Sequence, residues 1–358
     1  MMPWSGYFGL NASGKYTGIA ANIHANVYTV RTGIKELFDP GRRDVPSGIV
    51  QETEDDGHNW KFENWGTGFP NDIAADDKGD LYVIAALDGT PVVSKSINLA
   101  KNFFDLTTIP LTGGPSESCN GGFVATGAGG VVVIGASCDS TGWDVRRSAD
   151  SGATWQTAFS FALAAGKPAR LSDVAVVDGE AYGIGYATDA NDVQHWMVVR
   201  GPGVVSDQFA LAPGQAAGGV RLGGKTALFA VGYASDGQST TGVVRRRSAT
   251  GQWSTIDSFG ARAADIVQVG SQLIVVGTVQ TPERMTIRTR RSDDGGTTWQ
   301  TMGADYYYGS PDFFAGQQGL DAAPVALTAD PQGNVYAAVM VTDVNNNLHL
   351  NVVRLACE

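Results

Sequence analysis

Seven stretches of this 358-residue chain can be laid over one another, and that repetition limits the fold more than any single residue does. The clearest copies are NDIAADDKGDLYVIAAL (71–87), GGFVATGAGGVVVIGAS (121–137) and LSDVAVVDGEAYGIGYA (171–187). GGVRLGGKTALFAVGYA (218–234), ADIVQVGSQLIVVGTV (264–279) and APVALTADPQGNVYAAVMV (323–341) continue the series, and a weaker TGIAANIHANVYTVRTG (17–33) opens it. Each reads as two short apolar strands around a tight polar turn. A third strand carrying Val-Val-Arg or Arg-Arg follows, and then a fourth. The period of about 45 residues is that of a four-stranded propeller blade. The 47 glycines and the low charged fraction of 17% suit many turns and few solvent-facing helices. The expected fold is all-β, a single seven-bladed β-propeller over residues 1–358. Its blades fall near 16–66, 67–112, 116–162, 168–212, 216–260, 261–304 and 322–358.

The last copy reaches a third strand, LHLNVVRLACE (348–358), and stops. Its fourth strand is expected from the other terminus, where PWSGYFGL (3–10) offers a Trp followed by alternating large residues. Such closure also removes open sheet edges.

Between third and fourth strands the chain twice spells nearly the same phrase, RRSADSGATWQT (146–157) and RRSDDGGTTWQT (290–301). TEDDGHNW (53–60) and SATGQW (248–253) are partial copies. Ser and Asp oxygens suit turns as acceptors of backbone N–H groups, Gly supplies positive φ, and Trp anchors the hairpin by its apolar area. The phrase resembles the Asp-box, S-x-D-x-G-x-T-W, of BNR-repeat propellers, the sialidase-like and sortilin-like superfamily. That resemblance implies boxes on the rim, away from the substrate face, so the repeated phrase is expected to be scaffold.

A formal net charge of −11 argues against nucleic acid, whose phosphates call for clustered Lys and Arg. The run Arg245-Arg246-Arg247 is a local exception, expected to be a solvated strand edge. No window of about 20 apolar residues exists, so no membrane span is expected. The opening MMPWSGYFGL lacks a basic stretch followed by an apolar core, so no signal peptide is expected in this chain. Cys119 and Cys138 sit symmetrically about the turn at Ala128-Gly129 and face each other across one hairpin. A disulfide is expected there, with two free thiols as the alternative, while Cys357 has no evident partner. With the fold, this points to an exported protein: extracellular, periplasmic or on the cell surface.

Two long loops stand out on the face shared by blade-joining loops. IKELFDPGRRDVPSG (34–48) carries Arg42, Arg43 and Asp44, and ADYYYGSPDFFAGQQGLD (304–321) carries Tyr306, Tyr307, Tyr308, Asp312, Phe313 and Phe314. Aromatics beside polar groups suit sugar or peptide recognition, and a self-packed cover over the channel mouth is the alternative. Asp72, Asp173 and Asp265 occupy one place at the entry to the innermost strand in the second, fourth and sixth copies. Arg170 and Arg262 each stand three residues before an aspartate, as RLSD and RAAD. Converging carboxylates suit a Ca²⁺ ion or acid–base glycoside chemistry. The plainer reading is that each Asp caps backbone N–H groups or pairs with its Arg.

A sialidase needs three arginines around the substrate carboxylate and a Tyr–Glu pair. Arg170, Arg221 and Arg262 match no such family motif, and the four histidines lack metal-ligand spacing. No cofactor is expected beyond that weak Ca²⁺ candidate. The leading expectation is a non-catalytic propeller binding a glycan or a protein partner. A glycoside hydrolase or lyase with an atypical carboxylate site is the rival, and an assembly factor docking on a larger complex is the third reading.

Overall fold

The computed structural model describes residues 4–10, 15–22, 24, 26–34, 46–54, 61–67, 69–87, 90–108, 122–137, 140–209, 216–224, 227–282, 284–303, 305, 319–343 and 348–355. Its strands form seven antiparallel sheets of four. Six follow chain order and run over Lys15–Thr67, Phe69–Thr108, Gly122–Phe161, Ala169–Phe209, Ala216–Phe259 and Arg262–Thr301. The seventh takes Gly319–Ala329, Val335–Asp343 and Leu348–Leu355, and its outermost strand is Trp4–Leu10. Trp4 pairs with Leu355 and Leu10 with Leu350, so the two ends of the chain close the ring as the sequence led us to expect. The chain is a seven-bladed β-propeller.

Strand composition follows from how blades stack. A second strand is covered on both sides by neighbouring blades, so Leu81–Leu87 and Val131–Ala136 read as unbroken apolar runs and are buried almost throughout. Innermost strands alternate, as Gly122–Gly127 does, because one side meets the channel. Outermost strands such as Gln156–Phe161 are largely exposed. The buried side chains divide into seven clusters, and each cluster is built from two adjacent blades. The core therefore lies in the seams between blades, with the channel at the centre of the ring.

Both full copies of the repeated phrase close the same bonds at the turn between third and fourth strands. Gly152 N donates to Ser148 Oγ at 2.8 Å, and Thr154 N and Oγ1 donate to Asp150 at 2.8 and 2.6 Å. Gly296, Ser292, Thr298 and Asp294 repeat that pattern at 2.8, 2.8 and 2.7 Å. Gly152 and Gly296 have φ of 91° and 95°, where a side chain is strained. Trp155 and Trp299 return an indole N–H to the carbonyls of Gly152 and Gly296 and are half-buried against the adjoining seams. The phrase works as a self-contained turn, and its polar groups are spent on one another. Of the partial copies, SATGQW keeps a shortened form in which Gln252 N donates to Ser248 Oγ at 3.0 Å, and residues 55–60 lie outside the described residues. So do Cys119, Cys138 and Cys357.

Candidate functional site

The innermost strands of six blades carry a register shift immediately before one residue: Gly18, Asp72, Asp173, Arg221, Asp265 and Ala326. An extra residue in one strand of a pair bends that strand and re-aims the side chain beside it. The bulge thus brings three carboxylates and one guanidinium to a common level around the channel. Asp72, Asp173 and Asp265 are 6%, 5% and 6% exposed, which makes their surroundings the decisive question.

Each aspartate bridges two blades. Asp72 Oδ1 accepts from its neighbour Ile73 N at 2.9 Å, while Oδ2 accepts from Val124 N of the next blade at 3.1 Å. Asp265 repeats this with Ile266 N and, in the last blade, Leu327 N, both at 2.6 Å. Asp173 Oδ2 accepts from Leu222 N of the fifth blade at 2.9 Å, and its Oδ1 accepts from Arg221 Nη1 at 3.2 Å. Arg221 Nε lies 4.0 Å from Asp265 Oδ2, so one guanidinium sits between two carboxylates. Gly18 holds the matching place in the first blade because space demands it. A Cβ there would lie 2.9 Å from both Asp72 Oδ1 and Ile73 N.

This arrangement corrects the expected charge pairing. Arg170 and Arg262 are exposed and stand on the far side of the bulge from Asp173 and Asp265, opposite Tyr186 and Thr278. Arg262 instead lies over the Tyr233 ring, 4.0 Å from its centroid. Among the described residues neither arginine forms an ion pair with the aspartates, and Arg221 takes that part. All six carboxylate oxygens already accept hydrogen bonds, and no group of three or more His, Cys, Asp or Glu among the described residues has the geometry to hold a metal ion. The loop residues Arg42, Arg43, Asp44, Tyr306, Tyr307, Tyr308, Asp312, Phe313 and Phe314 lie outside the described residues.

Below the cluster the channel opens into a cavity of about 640 Å³. Its walls run from Asp72, Asp173, Arg221 and Asp265 toward the turns between first and second strands, at Asp76, Ala128 and Gly224. Burial pushes the Asp72 carboxyl up to about 7, with Arg221 opposing and Asp173 adding to the rise. The same cause takes Asp265 up to about 6 and raises Asp173, while the surrounding carboxylates hold Arg221 protonated. Three carboxylates around one cation exceed what the cation neutralises, and proton uptake offsets the remainder.

A pH dependence follows. A carboxyl whose folded-state pKa exceeds its unfolded value of about 4 binds its proton more tightly in the folded protein. The stability this confers is complete below about pH 4 and is lost as pH rises through about 6 to 7. Thermal melting followed from pH 5 to pH 8 should show a falling midpoint, and Asp72→Asn should flatten that slope by removing one titrating group. Parallel slopes for the two proteins would contradict proton uptake at Asp72.

No protein-family model matches the sequence, and no curated protein matches it either. Solved structures do. An ulvan lyase bound to -[GlcA(1-4)Rha3S]- superposes with a TM-score of 0.58 at 11% identity, covering 99% of this chain and 96% of that one. YCF48 from Cyanidioschyzon merolae gives 0.56 at 12% identity, covering 98% of each chain. A GH74 enzyme from Niastella koreensis gives 0.54 at 15% identity, and this chain spans 95% of its own length but 54% of that one. At such identities the likeness is one of fold.

Proposed function

We propose that this propeller is a non-catalytic binding protein, exported or displayed at a cell surface, which recognises a glycan or a protein partner through its loop-bearing face. The observation that supports it is the commitment of the channel carboxylates. A hydrolase or lyase needs an acid and a base facing substrate, whereas Asp72, Asp173 and Asp265 spend every oxygen on backbone amides or Arg221. Recognition in this reading falls to the aromatic loop 304–321 and the Arg42–Asp44 loop. Likeness in fold does not decide the matter, because the neighbours include an ulvan lyase and a GH74 enzyme as well as YCF48.

One observation favours the catalytic alternative, a lyase or glycoside hydrolase of atypical site. Burial raises the Asp72 carboxyl to about 7 beside a cavity, which brings its proton within the range a general acid needs. A glycan array combined with a polysaccharide depolymerisation panel separates the two. Binding without turnover, lost when Tyr306, Tyr307 and Tyr308 are replaced by Ala, is the expected outcome. Depolymerisation that Asp72→Asn abolishes in a folded protein would replace the binding reading with the enzyme.

A further inference from the structure

The triple-arginine run is only in part the solvated edge that its sequence suggests. Arg245 is 9% exposed and holds Asp207 of the preceding blade through two bonds of 2.6 and 2.9 Å. Arg288, Arg290 and Arg291, on the third strand of the sixth blade, likewise hold Asp305, Asp257 and Asp293. Arg246 and Arg247 differ. Among the described residues neither has a carboxylate partner, in a chain whose net charge is −11.

Both arginines line a cavity of about 1040 Å³ on the face that carries the repeated-phrase turns. It lies over the junction of the third, fourth and fifth blades. Where the sixth blade sets Ser292 opposite Leu273, the fifth sets Arg247 opposite Leu228, so a basic group replaces the hydroxyl that organises a complete turn. The Arg247 guanidinium lies 5.9 Å from the Tyr182 ring, and its Nε is buried with no hydrogen-bond acceptor. Arg246, the preceding residue of the strand, turns the other way and bonds Gly295 O of the sixth blade at 3.3 Å, which leaves Arg247 as the cavity's cation. A buried charged donor without an acceptor costs stability unless something completes it. Asp178 is the single acidic residue in the lining, against two arginines. Val176, Val177, Leu228 and Ile256 form the apolar part of the wall, beside Ser248 and Ser254.

We infer that this cavity is a binding site for a small organic oxyanion. Arg247 holds the anionic head, and the apolar part of the wall holds the body. A guanidinium presents its two Nη groups as a fork matched to two oxygens of a carboxylate, sulfate or phosphate group. Carboxylate, sulfate ester and phosphate ester share that head chemistry, and the choice of probes separates them. The site includes none of the loop residues proposed to carry the principal ligand, so either assignment can fail without the other.

The test is calorimetric titration of the full chain with benzoate, phenyl sulfate and phenyl phosphate at constant ionic strength, with inorganic sulfate alongside. Saturable binding of at least one organic probe is expected. Losing a charge-assisted bond should weaken it by about tenfold or more in Arg247→Gln, and also in Arg247→Lys, which keeps the charge but loses the fork. Arg246→Gln, whose side chain reaches the sixth blade, should leave it unchanged, as should Arg170→Gln. Melting curves confirm that each variant is folded. Absence of saturable binding by every probe, or equal binding by folded Arg247→Gln and the unaltered protein, would overturn the site. Inorganic sulfate binding as tightly as phenyl sulfate would overturn the part assigned to the apolar wall.

Discussion

Replacing Arg221 with Met is expected to destabilise the folded protein by about 3–5 kcal/mol near neutral pH, the usual consequence of removing one member of a buried ion cluster. Methionine fills much of the same volume, so the loss reports charge more than packing. Without the guanidinium, Asp173 loses its 3.2 Å partner, and the three carboxylates face one another with only backbone amides for compensation. The deficit should shrink toward pH 5 as the carboxyls take up protons and should grow toward pH 8. Arg221→Lys, which keeps a charge but not the span between Asp173 and Asp265, should fall between the two. Denaturant unfolding at both pH values measures this directly. An unchanged midpoint for Arg221→Met would mean that the cluster is not held together by its cation.

Removing residues 1–10 is the second change expected to have a large effect. Six residue pairs join Trp4–Leu10 to Leu348–Leu355. At about 1 kcal/mol for each hydrogen bond lost, the truncation costs on the order of 5 kcal/mol, before any splaying of the last blade. It also exposes the edge of the Leu348–Leu355 strand, which invites pairing with another copy. Calorimetry should show a lower and broader transition, and light scattering a tendency to associate. A truncated chain that melts like the full one would show that closure through the N-terminal strand contributes nothing to stability.

Much of this architecture was legible because repetition is a strong signal: seven hairpins at one spacing leave few alternatives to a ring of blades. The three channel aspartates were equally legible, since each opens an innermost strand in an alignable copy. What the overlay concealed was their counter-ion. Laid without gaps, the fourth and fifth copies put Val220 opposite Asp173, yet the pairings Asp173–Ile184 and Arg221–Val231 make Arg221 the equivalent residue. From the bulge residue to its partner the fifth blade is one residue shorter, ten positions from Arg221 to Val231 against eleven from Asp173 to Ile184, and that one residue of slack hid the match. A bulge also breaks simple counting, which is why Arg170 and Arg262, three residues before their aspartates, point elsewhere. The bonds to Val124, Leu222 and Leu327 join residues 49 to 62 positions apart, and no local pattern announces them.

Those three bonds are unevenly spread around the ring. Asp72 ties the second blade to the third, Asp173 the fourth to the fifth, and Asp265 the sixth to the last, while the first blade lends only Gly18. Counted by its staples, the molecule is three doublets and one odd member, and the odd member stands next to the blade that holds both chain ends. Its grain therefore runs two blades at a time. Four seams have no such staple: first to second, third to fourth, fifth to sixth and last to first. The third–fourth seam is crossed instead by Arg147 Nε donating to Gly179 O at 2.7 Å, and the fifth–sixth by the Arg290–Asp257 pair and by Arg221 reaching toward Asp265, but at these four seams no channel aspartate bonds a backbone amide of the next blade. Breathing of the ring, which every closed scaffold needs if a partner is to wedge it, has its easiest hinge lines there.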